Sequence, residues 1–493
     1  MKIRNTTRGL VVALVLCAGV AIAQDQKQDT PPVDRNAPLQ PLDTAPSGRP
    51  PIGAARGLSS PLDEQPYDPS QVVPDRNTLA GTAPITLGSL QHTRNTLDPA
   101  ISFSQLGQTF PGVAGKSVLV GNSIISGSLN FNRTWSQYQF TALYDGGETF
   151  NIGYGGLGSV TGVNAPHYPF HYLMATQAIN WARWHLILSD NFSSSPGATF
   201  TGQGVGGPGL TAENLNLLGT IVSGLGQTFV QTINTGDGQR YQNSVLGQAE
   251  YSFSRRSAVT FSGSYGVLHF TDAGYVNSTM ANGQIGYDYM LSPADSIAVL
   301  ASYGNINYSG SAISTTNYIA ALAYGRRITG RLAFQISAGP EQIQNKSTSI
   351  TGNSRLWIAS VNSALSYQRR RTGVSVNYLH GLTAGSGVFI GAVSNAFVAS
   401  AHYQFTRSWT GTINGGYSLN KSLASAGFPE ARFDNWLIGW NLGRRVGPHA
   451  QVNFNYGLTK QNSPTPCPVP SCGITGLQQS FGMSVNWHLR PNG

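Results

Sequence analysis

The stretch Phe481-Gly482-Met483-Ser484-Val485-Asn486-Trp487-His488-Leu489-Arg490 decides the fold. Phe481, Met483, Val485, Trp487 and Leu489 occupy every second position, and Gly482, Ser484, Asn486, His488 and Arg490 stand between them. A β-strand turns successive side chains to opposite faces, so this segment makes one apolar face and one wet face. The two-beat pattern recurs upstream. Val452, Phe454, Tyr456 and Leu458 alternate with Gln451, Asn453, Asn455 and Gly457, and Phe397, Ala399, Ala401, Tyr403 and Phe405 alternate with Ser400, His402 and Gln404. Ile413, Tyr417 and Leu419 alternate with Asn414, Ser418 and Asn420, and Val245, Ala249, Tyr251 and Phe253 turn Gln248, Glu250 and Ser252 the other way. The runs are about 12–16 residues long, against about 5–6 for strands of soluble sheets. Strands of that length and pattern predict an all-β chain closed into an antiparallel transmembrane barrel, because closure is what lets strands cross a bilayer without unpaired backbone.

Composition agrees. Charged residues make up 10% of the 493, well under the ~25% of soluble domains. No run after the N-terminus approaches the ~20 apolar residues of a spanning helix.

Lys2, Arg4 and Arg8 precede an apolar run from Leu10 to Ala23, and Ala21-Ile22-Ala23 offers a cleavage site before Gln24; residues 1–23 read as a secretion signal. Residues 24–98 form a second region, rich in proline: 12 of the chain's 27 prolines lie between 24 and 85. Such a segment cannot pack a core and is expected to be a largely disordered periplasmic extension, a passive leader or a tether to cell wall or a periplasmic protein. Residues 99–493 are the expected barrel. Cys467 and Cys472, in Cys-Pro-Val-Pro-Ser-Cys, are expected to form a disulfide in an oxidising compartment. No further Cys or nearby His pair completes a zinc site.

Short turns near Trp135, Trp181–Arg183, Arg255–Arg256, Pro293–Asp295, Ile328–Arg331, Arg369–Arg371, Ser408–Thr410 and Arg444–Pro448 alternate with longer connections near 146–168, 196–240, 271–276, 309–315, 342–354, 384–394, 423–431 and 462–475. About 17 strands are legible from 123 onward, and an antiparallel ring needs an even number. Residues 99–109, where Ile101 and Phe103 alternate with Ser102 and Ser104, supply the eighteenth. Sixteen remains open if two of these strands lie outside the wall.

The signal, the alternating strands, the turn asymmetry and the aromatic last strand resemble Gram-negative outer-membrane β-barrel proteins of the porin kind, over roughly residues 100–493. The resemblance implies an outer-membrane site, surrounding lipid, and a barrel-assembly machinery that reads the last strand through Phe481, Met483, Val485, Trp487 and Leu489. It departs at the end: the family closes on a terminal aromatic, whereas here Trp487 is followed by His-Leu-Arg-Pro-Asn-Gly. A homo-oligomer is left open.

Arg255, Arg256, Arg326, Arg327, Arg331, Arg369, Arg370, Arg371, Arg407, Arg444 and Arg445 all stand at or beside short turns. They are expected to form a basic periplasmic rim, by snorkelling beside headgroups or by favouring anions at the inner mouth. Glu250, Gln404, Asn414, Asn420, Gln451, Asn453, Asn455 and Asn486 are expected to line the lumen. The segment 196–240, with Gly-Gly-Pro-Gly at 206–209, either folds inward as a constriction or caps the mouth from outside.

Chemistry finds no support. His167, His171, Asp145 and Asp190 are not joined by any catalytic spacing, and Pro169 argues for a loop entering a strand rather than a helical metal pair. Gly153-x-Gly-Gly-x-Gly158 lacks the βαβ context of a nucleotide loop. No cofactor, metal, enzymatic activity or nucleic-acid partner is expected. The expected function is a water-filled pore for passive diffusion of small polar solutes, passing anions more readily than cations. Alternatives are a non-conducting structural or adhesion barrel tethered by its N-terminal segment, and an export barrel with periplasmic partners.

Overall fold

The structure, a computed structural model, describes residues 79–80, 95–111, 117–135, 137–152, 167–196, 239–272, 274–309, 313–347, 354–387, 389–423, 431–462 and 476–489 apart from isolated side chains. Its strands are β1 (Thr96–Pro111), β2 (Ser117–Thr134), β3 (Tyr138–Ile152), β4 (His167–Asn180), β5 (Trp184–Pro196), β6 (Gln239–Ser252), β7 (Ser257–Phe270), β8 (Ser278–Met290), β9 (Asp295–Tyr308), β10 (Ile313–Thr329), β11 (Leu332–Ser347), β12 (Ser354–Arg369), β13 (Thr372–Thr383), β14 (Ala392–Gln404), β15 (Trp409–Ser422), β16 (Arg432–Val446), β17 (Ala450–Asn462) and β18 (Gly476–His488). Each pairs antiparallel with its sequence neighbours, and β1 pairs with β18, closing an 18-stranded ring. The seam runs from Ala100↔His488 to Thr109↔Gln479, unbroken.

Closure sorts the side chains. Ile101, Phe103, Leu188, Phe261, Ile285, Val299, Leu322, Ile413, Trp436, Ile438, Phe481 and Trp487 stay exposed on the outside. Opposite partners in an antiparallel pair share a face, so the stripe passes from strand to strand, as Phe103↔Val485 and Tyr417↔Trp436 show. Trp135, Trp181, Trp184, Phe405, Trp409 and Trp487 ring the end that carries the tight turns. Those turns are built from Ser and Thr hydroxyls that accept backbone N–H groups two residues on: Arg256 N–H donates to Ser254 Oγ at 3.1 Å, Ala294 N–H to Ser292 Oγ at 3.1 Å, and Arg331 N–H to Thr329 Oγ1 at 3.1 Å.

Three boundaries differ from the sequence reading. The ring begins at Thr96, not at 99: Asp98 lies inward beside His488 (3.1 Å to Nδ1), and Pro99, the apparent breaker, sits within the strand opposite Leu129. β3 runs on to Ile152 through Gly146-Gly147, which read as the start of a loop. The missing Cβ is the reason the wall can continue there, since one on Gly147 would strike the Ile125 carbonyl oxygen of β2. Gly147→Val is therefore expected to break the β2–β3 register and abolish the heat-stable band of a folded barrel on a gel; a normal band would remove this account. Finally, His167 and His171 lie within β4, not in a loop, both on the outer face; His167 Nδ1 is 2.5 Å from Glu148 Oε1 and His171 Nδ1 is 3.0 Å from the Tyr144 hydroxyl.

Candidate functional site

The inward faces of the strands carry amides and hydroxyls in rows. Alternation fixes this: each inward residue stands between two outward apolar ones. Glu250, Asn420 and Asn453 are buried, and Gln404, Asn414, Gln451, Asn455 and Asn486 are half-buried, all on the inward rank of their strands. They join in networks rather than standing singly. Gln451 donates to Asn453 (2.8 Å), Asn453 to Ser484 (3.3 Å), and Asn441 donates to Asn455. Further round, Ser394 Oγ donates to Asn420 Oδ1 (2.6 Å) and meets Thr383 Oγ1 at 2.8 Å.

On β7–β10 the wall carries a small open recess lined by Ser262, Ser264, Asn282, Gln284, Ser302 and Asn317, among others. Gly304 makes room for it, because a Cβ there would collide with the side-chain oxygens of both Asn282 and Asn317. Asn317 in turn donates to Glu341 Oε1 at 2.7 Å. Such a surface offers donors and acceptors without a fixed charge at the opening, and it can exchange hydrogen bonds with a neutral polar solute as it does with water.

Sequence reasoning missed the element that fills the lumen at the opposite end from the tight turns. The β13–β14 connection does not project outward. It makes a 3-10 turn at Gly385–Gly387 and folds against the inner wall, held by three glycines in the left-handed region, Gly385 (φ 80°), Gly387 (φ 77°) and Gly391 (φ 78°). Phe389 packs edge-on against Phe433 of β16, with ring centroids 5.2 Å apart. The Gly387 carbonyl accepts the Val276 N–H at 2.8 Å, tying this loop to the β7–β8 connection. Around it Leu268, Phe270, Met280, Ile306, Tyr308, Ile343, Leu382, Ala384 and Leu423 form a buried apolar cluster. Gly385-Ser-Gly-Val-Phe-Ile-Gly391 carries three large apolar residues among turn-making glycines, but the signal of its inward course lay in the wall, where Leu268, Phe270, Met280 and Ile306 interrupt the polar inward rank. The proposed constriction at 196–240 falls almost wholly outside the described residues, as do Cys467, Cys472, Arg490, the signal segment and residues 24–78.

Besides Thr96–Asp98 in β1, a second described stretch of the N-terminal region belongs to the ring rather than to a periplasmic extension. Leu79 and Ala80 lie within the ring, against the inner face of β8–β10.

The arginines gather at the tight turns, but they divide. Arg255, Arg256, Arg331, Arg369, Arg370, Arg371 and Arg407 are exposed there. Arg326 and Arg444 are on the outward rank: Arg326 Nε is 3.6 Å from Asp295, and the Arg444 guanidinium lies over the Trp409 ring, 5.2 Å from its centroid. Arg327 and Arg445, one residue on, take the inward rank and are half-buried. Phe481, Met483, Val485, Trp487 and Leu489 are exposed on the outer face. Phe481 lays its ring over Gly107 across the seam, where any Cβ would displace it.

No protein-family model matches the chain, and no curated protein matches it. Among solved structures it is similar to OccK2 (OpdF) of Pseudomonas aeruginosa, at 10% identity and a TM-score of 0.40, covering 80% of this chain and 98% of that one. A BenF-like porin from Pseudomonas fluorescens Pf-5 matches at 9% identity and a TM-score of 0.40 over 80% of this chain and 98% of that one. OccAB3 of Acinetobacter baumannii matches at 10% identity and a TM-score of 0.38 over 80% and 99%.

Proposed function

We propose that this chain forms a pore in a bacterial outer membrane through which small polar solutes diffuse passively. The observation that carries the reading is the closed ring of 18 strands with an apolar exterior and an amide- and hydroxyl-lined interior. A bilayer is the solvent that such an exterior requires, and rings of 16–18 strands are wide enough to hold an aqueous channel. Solute choice would rest on width and on neutral hydrogen bonding along the recess of β7–β10. No chemical step is needed. Single-channel recording of the purified protein, with sugars of increasing size as blockers, tests this. A folded barrel that never conducts would turn the reading to a structural or tethered one.

Ion preference has its source at the rim. Asp145, Glu250, Asp288 and Glu341 face inward but are mostly withdrawn from solvent, whereas the turn-end arginines are exposed. Exposed charges at a mouth set the local ion concentration, and salt screens them over about 10 Å at 0.1 M. Anions are therefore expected to pass more readily at low salt. Replacing Arg331, Arg370, Arg371 and Arg407 by Gln is expected to lower the anion:cation permeability ratio by roughly a factor of two. Reversal potentials in a salt gradient measure it, and a cation preference in the unaltered protein would defeat the proposal.

A further inference from the structure

β9 in its turn-end half and β10 across its middle are apolar on both faces, as Ile297-Ala298-Val299-Leu300-Ala301 and Ile319-Ala320-Ala321-Leu322-Ala323 show. The outward members meet lipid on the reading above. The inward ones, Ala298, Leu300, Ile319, Ala321 and Ala323, are at most 7% exposed, and they form one cluster with Leu79 and Ala80. An apolar patch inside a polar lumen needs a cover, and part of that cover is a segment of this chain.

The contact is specific in its chemistry. The Ala80 N–H donates to Asp288 Oδ1 at 3.0 Å, and the Ala80 carbonyl accepts from Gln284 Nε2 at 2.7 Å. Asp288 is itself held by the Thr260 hydroxyl, 3.3 Å from Oδ2. Between Gln284 and Asp288 on the inward rank stands Gly286, and a Cβ there would occupy the place of the Ala80 methyl. Both backbone hydrogen-bonding groups of one residue are read by side chains of β8, and its side chain is limited to about a methyl. That is the recognition of a short peptide with a small residue at the centre. Asp288 stands two residues from the end of β8 and Ala298 three from the start of β9, so the dock lies just inside the turn-end mouth. In the ring β8–β10 lie opposite β1, so Ala80 and Thr96 are fixed to facing walls.

We propose that the inner wall of β8–β10 is a peptide-binding site, filled in cis by Leu79–Ala80, and that the docked segment narrows the pore; a vacated site would take the same small-residue peptide in trans. The narrowing rests on the pore reading, whereas the docking does not.

Two measurements on the full-length chain separate these. In a chain whose three native cysteines are serine, Ala80→Cys with Ala298→Cys is expected to form an intramolecular disulfide on mild oxidation, and adding Gly286→Val is expected to prevent it. A folded barrel that forms no cross-link, or forms it equally well with Gly286→Val, overturns the dock. In planar bilayers, Ala80→Trp and Gly286→Val are each expected to raise conductance by roughly 2-fold. A synthetic peptide spanning residues 76–83, added at the turn end, should restore the lower level in Ala80→Trp but not in Gly286→Val. Unchanged conductance in both variants overturns the narrowing. A bilayer silent for every variant, with the cross-link intact, supports the dock and removes the pore reading instead. If Gly286→Val does not fold, Asp288→Ala carries the same tests, since it strips the Ala80 N–H of its acceptor.

Discussion

Excision of Gly385–Ile390 is expected to raise single-channel conductance on the order of 3-fold, because an apolar constriction excludes water and ions more effectively than a polar one of the same width. The loop is the inward-folded β13–β14 connection. It brings Phe389 onto Phe433, and a carbonyl of Gly387 onto the Val276 N–H, so its removal empties a chord of the lumen rather than trimming its edge. Two milder changes should fall between. Phe389→Ala keeps the backbone path but deletes the ring that packs on Phe433. Gly387→Val cannot hold a φ of 77° without strain and drives a side chain into the Phe270 ring, so the loop has to move as a whole. Bilayer recordings should give the lowest conductance for the wild type, intermediate values for Phe389→Ala and Gly387→Val, and the highest for the excision. Equal conductance across the series would mean that the conducting path does not pass this loop.

Leu322→Arg should destabilise the folded barrel in lipid by about 2–4 kcal/mol, the cost of a cation on the lipid face near the bilayer midplane. Leu322 is 68% exposed on the outward rank of β10, seven residues from the end of that strand. Asn455→Arg on β17 is the matched control. It places the same cation on the inward rank, where water and neighbouring amides can solvate it, and should cost about 1 kcal/mol, the loss of the hydrogen bond from Asn441. Equilibrium unfolding by urea in phospholipid vesicles reads both. Equal costs at the two sites would mean that the outside of this ring is not in hydrocarbon.

Most of the ring was legible because alternation is a local property. Where Val452, Phe454, Tyr456 and Leu458 repeat at every second residue, both the strand and its outward face follow without any knowledge of neighbours. The boundaries that moved did so at Pro99 and Gly146-Gly147, residues that ordinarily end strands and here persist because the paired strand accommodates them. The lumen's contents were harder to read. Leu268, Phe270, Met280, Leu300, Ile306 and Ile319 break the polar rank on the inward face, which is the mark of a strand covered on both sides. Two inserts cover that wall in part, the 384–391 loop and Leu79–Ala80, and neither can be placed from its own composition. A glycine-rich loop with Phe and Ile looks alike whether it turns in or out; the apolar inward residues of β7 to β10 betray that something sits against them. The arginines show the same limit: the turns locate them, but whether Arg326 or Arg327 faces lipid depends on a parity that the full register alone settles.

The seam carries a last consequence. Asp98 and His488 touch although 390 positions part them, and the two strands that meet there are the first and last of the ring. Without β18 the sheet has two raw margins and an apolar outer face that no closed wall holds together. A product clipped before β18 is not a weaker version of the finished article; it is an open curtain, unable to hold its own edges and ready to fuse with any other strand it meets.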